Sequence, residues 1–145
     1  RGEDGTTVWT GRGAEISSVE WPRRGFGIAD LYWQCATVLG FEGDARTQRM
    51  EALARMAPGA RDPRVERLWG DGLDGPVLAS NWAGEIESLA RGRAISELSH
   101  LAASVQSRLI DLLLAELRRV RARTGASSLC VGGGMGIALA IEREA

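Results

Sequence analysis

The chain has 145 residues, 44% of them apolar, and its 18 basic and 19 acidic residues leave a formal net charge of −1. This length supports one hydrophobic core, so we expect a single domain, and the balanced charge does not favour nucleic acid as a partner. All basic residues are arginine, which excludes Schiff-base chemistry and a Walker lysine within the segment. The chain begins at Arg1 without a secretory signal, so we expect a cytoplasmic piece of a longer protein.

The first part of the sequence predicts a β-hairpin and two helices. GTTVWTGRGAEISSVEW alternates β-branched or aromatic residues with polar ones around a glycine-rich turn, and Pro22 would end its second strand. From Gly27, apolar residues recur at helical spacing until Gly40, and ARTQRMEALARMAPG predicts a second helix from Thr47 to just before Pro58. The residues expected to face the core are Ile28, Leu31, Tyr32, Cys35, Val38 and Leu39, then Met50, Leu53, Ala54 and Met56.

The middle of the sequence predicts a surface excursion followed by a long amphipathic helix. Residues 60–84 are rich in turn formers around a short RVERLW helical turn. The helix is predicted from about Ser96 to Arg123, with Gly125 beyond its end and Leu109 packed against a following sheet. Its final RRVRAR run places cations at the negative end of the helix dipole and is interpreted as structural. Polar residues interrupt its apolar stretch, so we expect no membrane span.

Three isolated side chains could carry chemistry. Cys35 lies on an apolar helical stripe, which favours a core thiol. His100 has no carboxylate or cysteine at helical spacing, so we expect a partly exposed residue rather than a catalyst. Cys35 and Cys130 are far apart and belong to no CxxC or histidine-paired pattern, which argues against a disulfide framework or a zinc site. We therefore assign no catalytic and no metal-ligating residue from the pattern.

The segment LCVGGGMG near the carboxyl end is the main candidate site. It is predicted to connect a short strand, Leu129–Val131, to a helix formed by IALAIERE. Glycines at such a turn let backbone N–H groups approach an anion closely, which makes Gly132, Gly133 and Gly134 candidate nucleotide-binding residues. A bend without a ligand is the alternative.

Several stretches, taken in order, resemble the O-carbamoyltransferases of nodulation and antibiotic biosynthesis. RGEDGTTVWTGRG is similar to the strand pair of their amino-terminal domain, and GFGIADLYWQCATVLGF is similar to a helix of the form SLGxLYxxxTxxLGF. LAASVQ and the later LCVGGG resemble a LAASVQ helix and its LCLAGG turn. RTQRMEALARMAPG departs from the family's GKxMxLAxYG element, since it lacks the lysine and the tyrosine.

The resemblance implies a partial α/β domain of the actin-like ATPase, or ribonuclease H-like, class: a β-hairpin, helices and a strand–glycine turn–helix unit. It implies transfer of a carbamoyl group from carbamoyl phosphate to a hydroxyl of a sugar or natural product. The full-length protein would use ATP and a divalent metal, held by a phosphate loop and histidines before Arg1, and neither would bind tightly to this segment alone. Cys130 would then be a buried strand residue, and a homo-oligomer is compatible with this reading.

The last twenty or so residues also resemble the carboxyl terminus of thiolases. There, CxGGGxG carries a cysteine that moves protons in the Claisen step, and this chain has CVGGGMG from Cys130 to Gly136. The glycine- and histidine-rich loop that should precede the long helix is missing. A thiolase-like acyltransferase using Cys130 is therefore the alternative function, and a non-catalytic remnant is a third.

Overall fold

A computed structural model describes residues 7–12, 14–20, 27–73, 75–126, 129–133 and 137–141, the last two ranges by their backbone. Pro22 and Gly134 lie outside these ranges. The elements are, in chain order, β1 (Val8–Arg12), β2 (Glu15–Val19), α1 (Ile28–Val38), α2 (Arg46–Ala54), α3 (Pro63–Glu66), β3 (Trp69–Gly72), β4 (Gly75–Leu78), α4 (Trp82–Ala90), α5 (Ile95–Thr124), β5 (Leu129–Gly133) and β6 (Ile137–Ile141).

The strands form three separate antiparallel hairpins in the described part of the chain: β1 with β2, β3 with β4, and β5 with β6. The first hairpin confirms the sequence prediction, and Val8 pairs with Val19 across it. The mixed α/β class is also confirmed. Nothing in the described residues confirms the actin-like arrangement, since each described sheet has only two strands.

The long helix α5 organises the core. It packs against α1, α2, α3, α4 and β3, and its Leu101, Val105, Leu109 and Leu112 are buried. Gly125 ends the helix with φ of 66°, the left-handed conformation that glycine adopts without steric cost. The sequence predicts that this helix packs against the sheet containing Leu129–Val131. That prediction is wrong, because β5 has β6 as its main described neighbour and α5 packs against the other helices and β3.

The stretch predicted as a surface excursion is instead part of the core. The side chain of Trp69 is fully buried in β3 and meets the Trp82 ring of α4 edge-on, with ring centroids 5.7 Å apart. Val65 of α3 and Ile86 of α4 are also fully buried. The turn-forming residues connect these short elements, but their few apolar side chains fill the space beside α5.

The first two helices agree with the sequence in place and face. Leu31, Cys35 and Met50 are buried as predicted, and the Tyr32 hydroxyl donates a 3.3 Å hydrogen bond to Gln106 of α5. Met56, expected to face inward, is 64% exposed because α2 ends at Ala54 and the chain turns away before that residue. Within the described ranges, no helix combines the length and apolar character needed to cross a bilayer.

Candidate functional site

The cysteine–glycine segment forms one side of the β5–β6 hairpin. Cys130 pairs with Ala140, Gly132 with Ala138 and Gly133 with Ile137. The prediction of a helix after the glycines is therefore wrong, since residues 137–141 form strand β6. A short apolar run such as IALAI fits a buried helix or a strand equally well by periodicity, and pairing with β5 decides between them.

This geometry brings the thiol-bearing residue and two of the candidate glycines onto one five-residue strand. Gly133 is the last residue of β5 and pairs with Ile137, the first residue of β6. Backbone N–H groups can donate to an oxygen of a ligand, and glycine allows a ligand to approach the backbone closely. The role of Gly132, Gly133 and Gly134 in binding remains a proposal.

Cys35 is buried and is not a reactive cysteine. Its side chain is fully buried on α1, as the sequence predicted. Burial raises the pKa of the Cys35 thiol to about 12. Because the thiolate is the nucleophile and the base, this thiol is inert at neutral pH. Cys35 therefore serves as an internal reference for the reactivity of Cys130.

In the described part of the chain, neither His100 nor the arginine run Arg118–Arg123 forms a recognisable site with neighbouring side chains. His100 is exposed on the second turn of α5, and no group of three or more His, Cys, Asp or Glu residues among the described ranges could hold a metal ion. Arg119 pairs with Asp71 of β3 and lies 3.5 Å from Glu116. Arg121 and Arg123 lie in the last turn of the helix, as the dipole argument expects.

The sequence reasoning missed a polar connection between α5 and β3. Arg108 lies on the core-facing side of α5, and its Nε donates a 2.9 Å hydrogen bond to the Trp69 carbonyl. Its guanidinium is also 3.7 Å from the Glu66 carboxylate, which accepts from Arg61 at 2.9 Å. An arginine within an apolar helical stripe signals a buried acceptor, and that signal was present in the sequence at Arg108.

Comparison with known proteins gives short matches to acetyl-CoA acetyltransferases. The chain is 45% identical over 53 residues to the "Acetyl-CoA acetyltransferase" of Cupriavidus necator, which covers 37% of this chain and 13% of that protein. It is 46% identical over 52 residues to the enzyme of that name from Chromobacterium violaceum, covering 36% and 13%. It is 43% identical over 51 residues to the enzyme of that name from Shinella zoogloeoides, and that match covers 35% of this chain and 13% of the other protein. No family model and no solved structure matches the chain.

These matches overturn the carbamoyltransferase interpretation. The similar proteins are named as acetyl-CoA acetyltransferases. The expected use of ATP, a divalent metal and carbamoyl phosphate, which depended on the resemblance to carbamoyltransferases, therefore has no support. The motifs that suggested it, such as LAASVQ, belong to α5, where small and apolar residues repeat for packing reasons. The matched stretch spans only 13% of the length of these relatives.

Proposed function

We propose that this chain is part of a thiolase-like acyltransferase that acts on acetyl-CoA, with Cys130 as the residue that moves a proton. The identity of 42–46% to acetyl-CoA acetyltransferases carries the proposal. The CVGGGMG segment supports it, since it places a cysteine two residues before a run of glycines, as in the thiolase carboxyl terminus.

The proposed chemistry is a proton transfer at the acetyl group. The Cys130 thiolate takes a proton from the methyl carbon next to the thioester carbonyl, and the electron pair of that C–H bond moves into the carbonyl to give an enolate. Backbone N–H groups around Gly132 and Gly133 are proposed to donate to the enolate oxygen, where negative charge develops. In the forward condensation that carbon attacks a second acyl carbonyl and the thiolate of the leaving group departs. The second acyl group and its binding site belong to the remainder of such an enzyme.

Hydrogen–deuterium exchange at the acetyl methyl group tests this step on the chain as it exists. The chain is incubated with acetyl-CoA in D₂O, and deuterium in the acetyl group is followed by mass spectrometry and proton NMR. We expect exchange above that caused by the same concentration of free cysteine. Cys130→Ala should abolish this excess, whereas Cys35→Ala should retain it because the Cys35 thiol is buried and protonated. Exchange equal to the free-cysteine control would contradict the proposal.

Thiol labelling gives an independent measurement. Under the acyltransferase proposal Cys130 must be accessible and partly ionised near neutral pH, so iodoacetamide should modify it before Cys35 in the native protein. Peptide mapping after timed labelling reports each site. Equal protection of both cysteines until denaturant is added would instead indicate that Cys130 is a buried structural residue.

Substitution of a glycine tests the backbone contact. Gly133→Val places a branched side chain at the end of β5 and should weaken acetyl-CoA binding in calorimetric titration. Gly11→Val is the matched control, because Gly11 lies in the separate β1–β2 hairpin and a Cβ there meets only the Glu15 carbonyl oxygen, at 3.8 Å. Equal affinity in the two variants would argue that the glycines only allow the chain to bend, and binding without exchange would identify a non-catalytic remnant.

A further inference from the structure

Two stretches of the chain, RGRAIS and RVRART, place a hydroxyl-bearing residue after arginines that lie three and five positions before it. The hydroxyls belong to Ser96 and Thr124. Protein kinases select substrates by charge patterns of this kind, because carboxylates beside the kinase's peptide groove pair with guanidinium groups of the substrate. By sequence the two residues are equivalent as phosphate acceptors, and the structure distinguishes them.

Ser96 lies in an exposed segment between α4 and α5. Every residue from 91 to 97 is exposed, and the apolar Ile95, next to the acceptor, is 65% exposed. The Ser96 hydroxyl has no hydrogen-bond partner within the described ranges. The backbone of Ala94 is extended, with φ of −67° and ψ of 159°. A kinase that binds the segment extended must open only the first turn of α5, and helix ends open at low cost.

The two arginines before this acceptor are held by surface contacts. Arg91 lies 3.2 Å from the Glu87 carboxylate, and Arg93 lies 2.8 Å from the Glu97 carboxylate. Arg93 also donates to the Leu89 carbonyl at 3.3 Å. Exposed ion pairs contribute little to stability, so each guanidinium can exchange its partner for a carboxylate of a kinase.

Thr124 is less available on each of these points. It is half-buried in the last turn of α5. Its hydroxyl donates a 2.8 Å hydrogen bond to the Val120 carbonyl and accepts one from the Ala126 N–H. Arg119, five residues before it, pairs with Asp71. A phosphate there would also lie at the negative end of the helix dipole. The structure therefore favours the acceptor at the start of the helix.

We propose that Ser96 is a phosphorylation site for a serine/threonine kinase that selects arginine three and five residues before the acceptor. The Ser96 oxygen attacks the γ-phosphorus of ATP, its proton passes to the general base of the kinase, and the bond from that phosphorus to the departing ADP breaks. Neither Cys130 nor acetyl-CoA takes part, so the modification is independent of the acyltransferase proposal.

Phosphate at this position acts on the start of α5. Ser96 is the second residue of the helix, where N–H groups lack intrahelical acceptors and negative charge is favourable. Glu97 opposes part of this gain by like-charge repulsion, but Arg93 already pairs with it and can reach either anion. The expected result is a more stable first turn.

Amide hydrogen exchange measures this effect. Exchange at residues 97–100 should slow about two- to fivefold in the phosphorylated chain, and added salt should reduce the difference. Residues 118–123, at the other end of α5, are the control and should not change. Equal or faster exchange at residues 97–100 would contradict the stabilising effect.

Phosphorylation of the full, folded chain tests the site itself. The chain is incubated with ATP, Mg²⁺ and a kinase catalytic domain selective for this arginine spacing, and mass spectrometry maps the modified residues. We expect phosphate on Ser96 and none in Ser96→Ala. Arg93→Gln should slow the reaction about tenfold or more, because a hydrogen bond between charged groups is lost. Thr124→Ala is the matched control and should react like the unmodified chain.

Free peptides of residues 89–100 and 117–128 show whether the fold selects the acceptor. Both should be phosphorylated, at Ser96 and at Thr124, whereas the folded chain should react only at Ser96. Modification of Thr124 in place of Ser96 in the folded chain would overturn the proposal. So would an unreactive Ser96 in the folded chain beside a reactive peptide, or a failure of both peptides to react.

Discussion

At the scale of single residues, Arg108 shows how one polar side chain can tie a helix to a strand. Its guanidinium donates to the carbonyl of Trp69, whose side chain is fully buried. A hydrogen bond from a charged donor contributes more than a neutral one, and a carbonyl left without its partner in the interior is destabilising. Arg108 therefore helps to hold β3 against α5 although it lies on an otherwise apolar face.

Replacing Arg108 by methionine keeps most of the aliphatic stem and removes the donors. We expect Arg108→Met to lower the free energy of unfolding by about 1–3 kcal/mol, measured by urea denaturation. The control is Arg91→Met, which removes an exposed ion pair with Glu87 and should cost no more than about 0.5 kcal/mol. Equal effects in the two variants would show that the Trp69 contact does not matter for stability.

A substitution at Leu109 tests how the buried side of the same helix packs. Its side chain is 3% exposed, and Leu109→Asp would place an unpaired carboxylate among apolar neighbours. Such burial costs several kcal/mol against a total stability of about 5–15 kcal/mol, so we expect loss of the folded state. Circular dichroism and thermal melting report it, with Leu73→Asp as the exposed control. A cooperatively melting Leu109→Asp protein would contradict the packing described above.

At the scale of elements, an ion pair fastens the segment before α3 to α5. Arg61 donates to the Asp111 carboxylate at 2.6 Å and to Glu66 at 2.9 Å. The hydrogen bond from Arg61 holds the pKa of Asp111 below its ordinary value of 3.8, and the hydrogen bond from Arg64 does the same for the pKa of Asp62. Both carboxylates are thus more acidic in the folded state than in the unfolded chain.

This difference predicts a loss of stability in acid. A carboxyl group with a lowered pKa in the folded state contributes stability above its unfolded pKa of 3.8, and that contribution is lost as pH falls through the folded value. Asp111→Asn should therefore flatten the fall of unfolding free energy below about pH 4, measured by urea titrations at several pH values. Asp44→Asn, a change at an exposed loop position, is the control. Identical acid profiles for Asp111→Asn and the unmodified chain would contradict this assignment.

At the scale of the whole molecule, the buried cluster of the described residues joins the five helices and β3. Its buried members run from Leu31 in α1 to Leu112 in α5 and include Trp69. We expect urea unfolding followed by far-UV circular dichroism and by tryptophan fluorescence to coincide, because small domains with one core unfold in a single step. Replacing Trp9 and Trp33, which are exposed, together with Trp21, which lies outside the described residues, would leave Trp69 and Trp82 as the fluorescent tryptophans, in or against the core. Separate transitions would indicate independently folding parts.

The sequence by itself determined the elements whose cause is local. Apolar spacing with glycine stops determined α1, most of α2 and α5, alternation around a glycine turn determined the first hairpin, and the stripe on α1 determined the burial of Cys35. Each of these depends on residues within a few turns of one another.

Only the tertiary structure decided what depends on distant partners. Residues 137–141 became a strand because β5 supplies their hydrogen-bonding partners. Trp69 became a core residue because α5 leaves a space that the neighbouring short elements fill, and α5 packs on helices rather than on the carboxyl-terminal sheet. The physical reason is the same in each case: a short apolar run must be buried, but its sequence does not say against what.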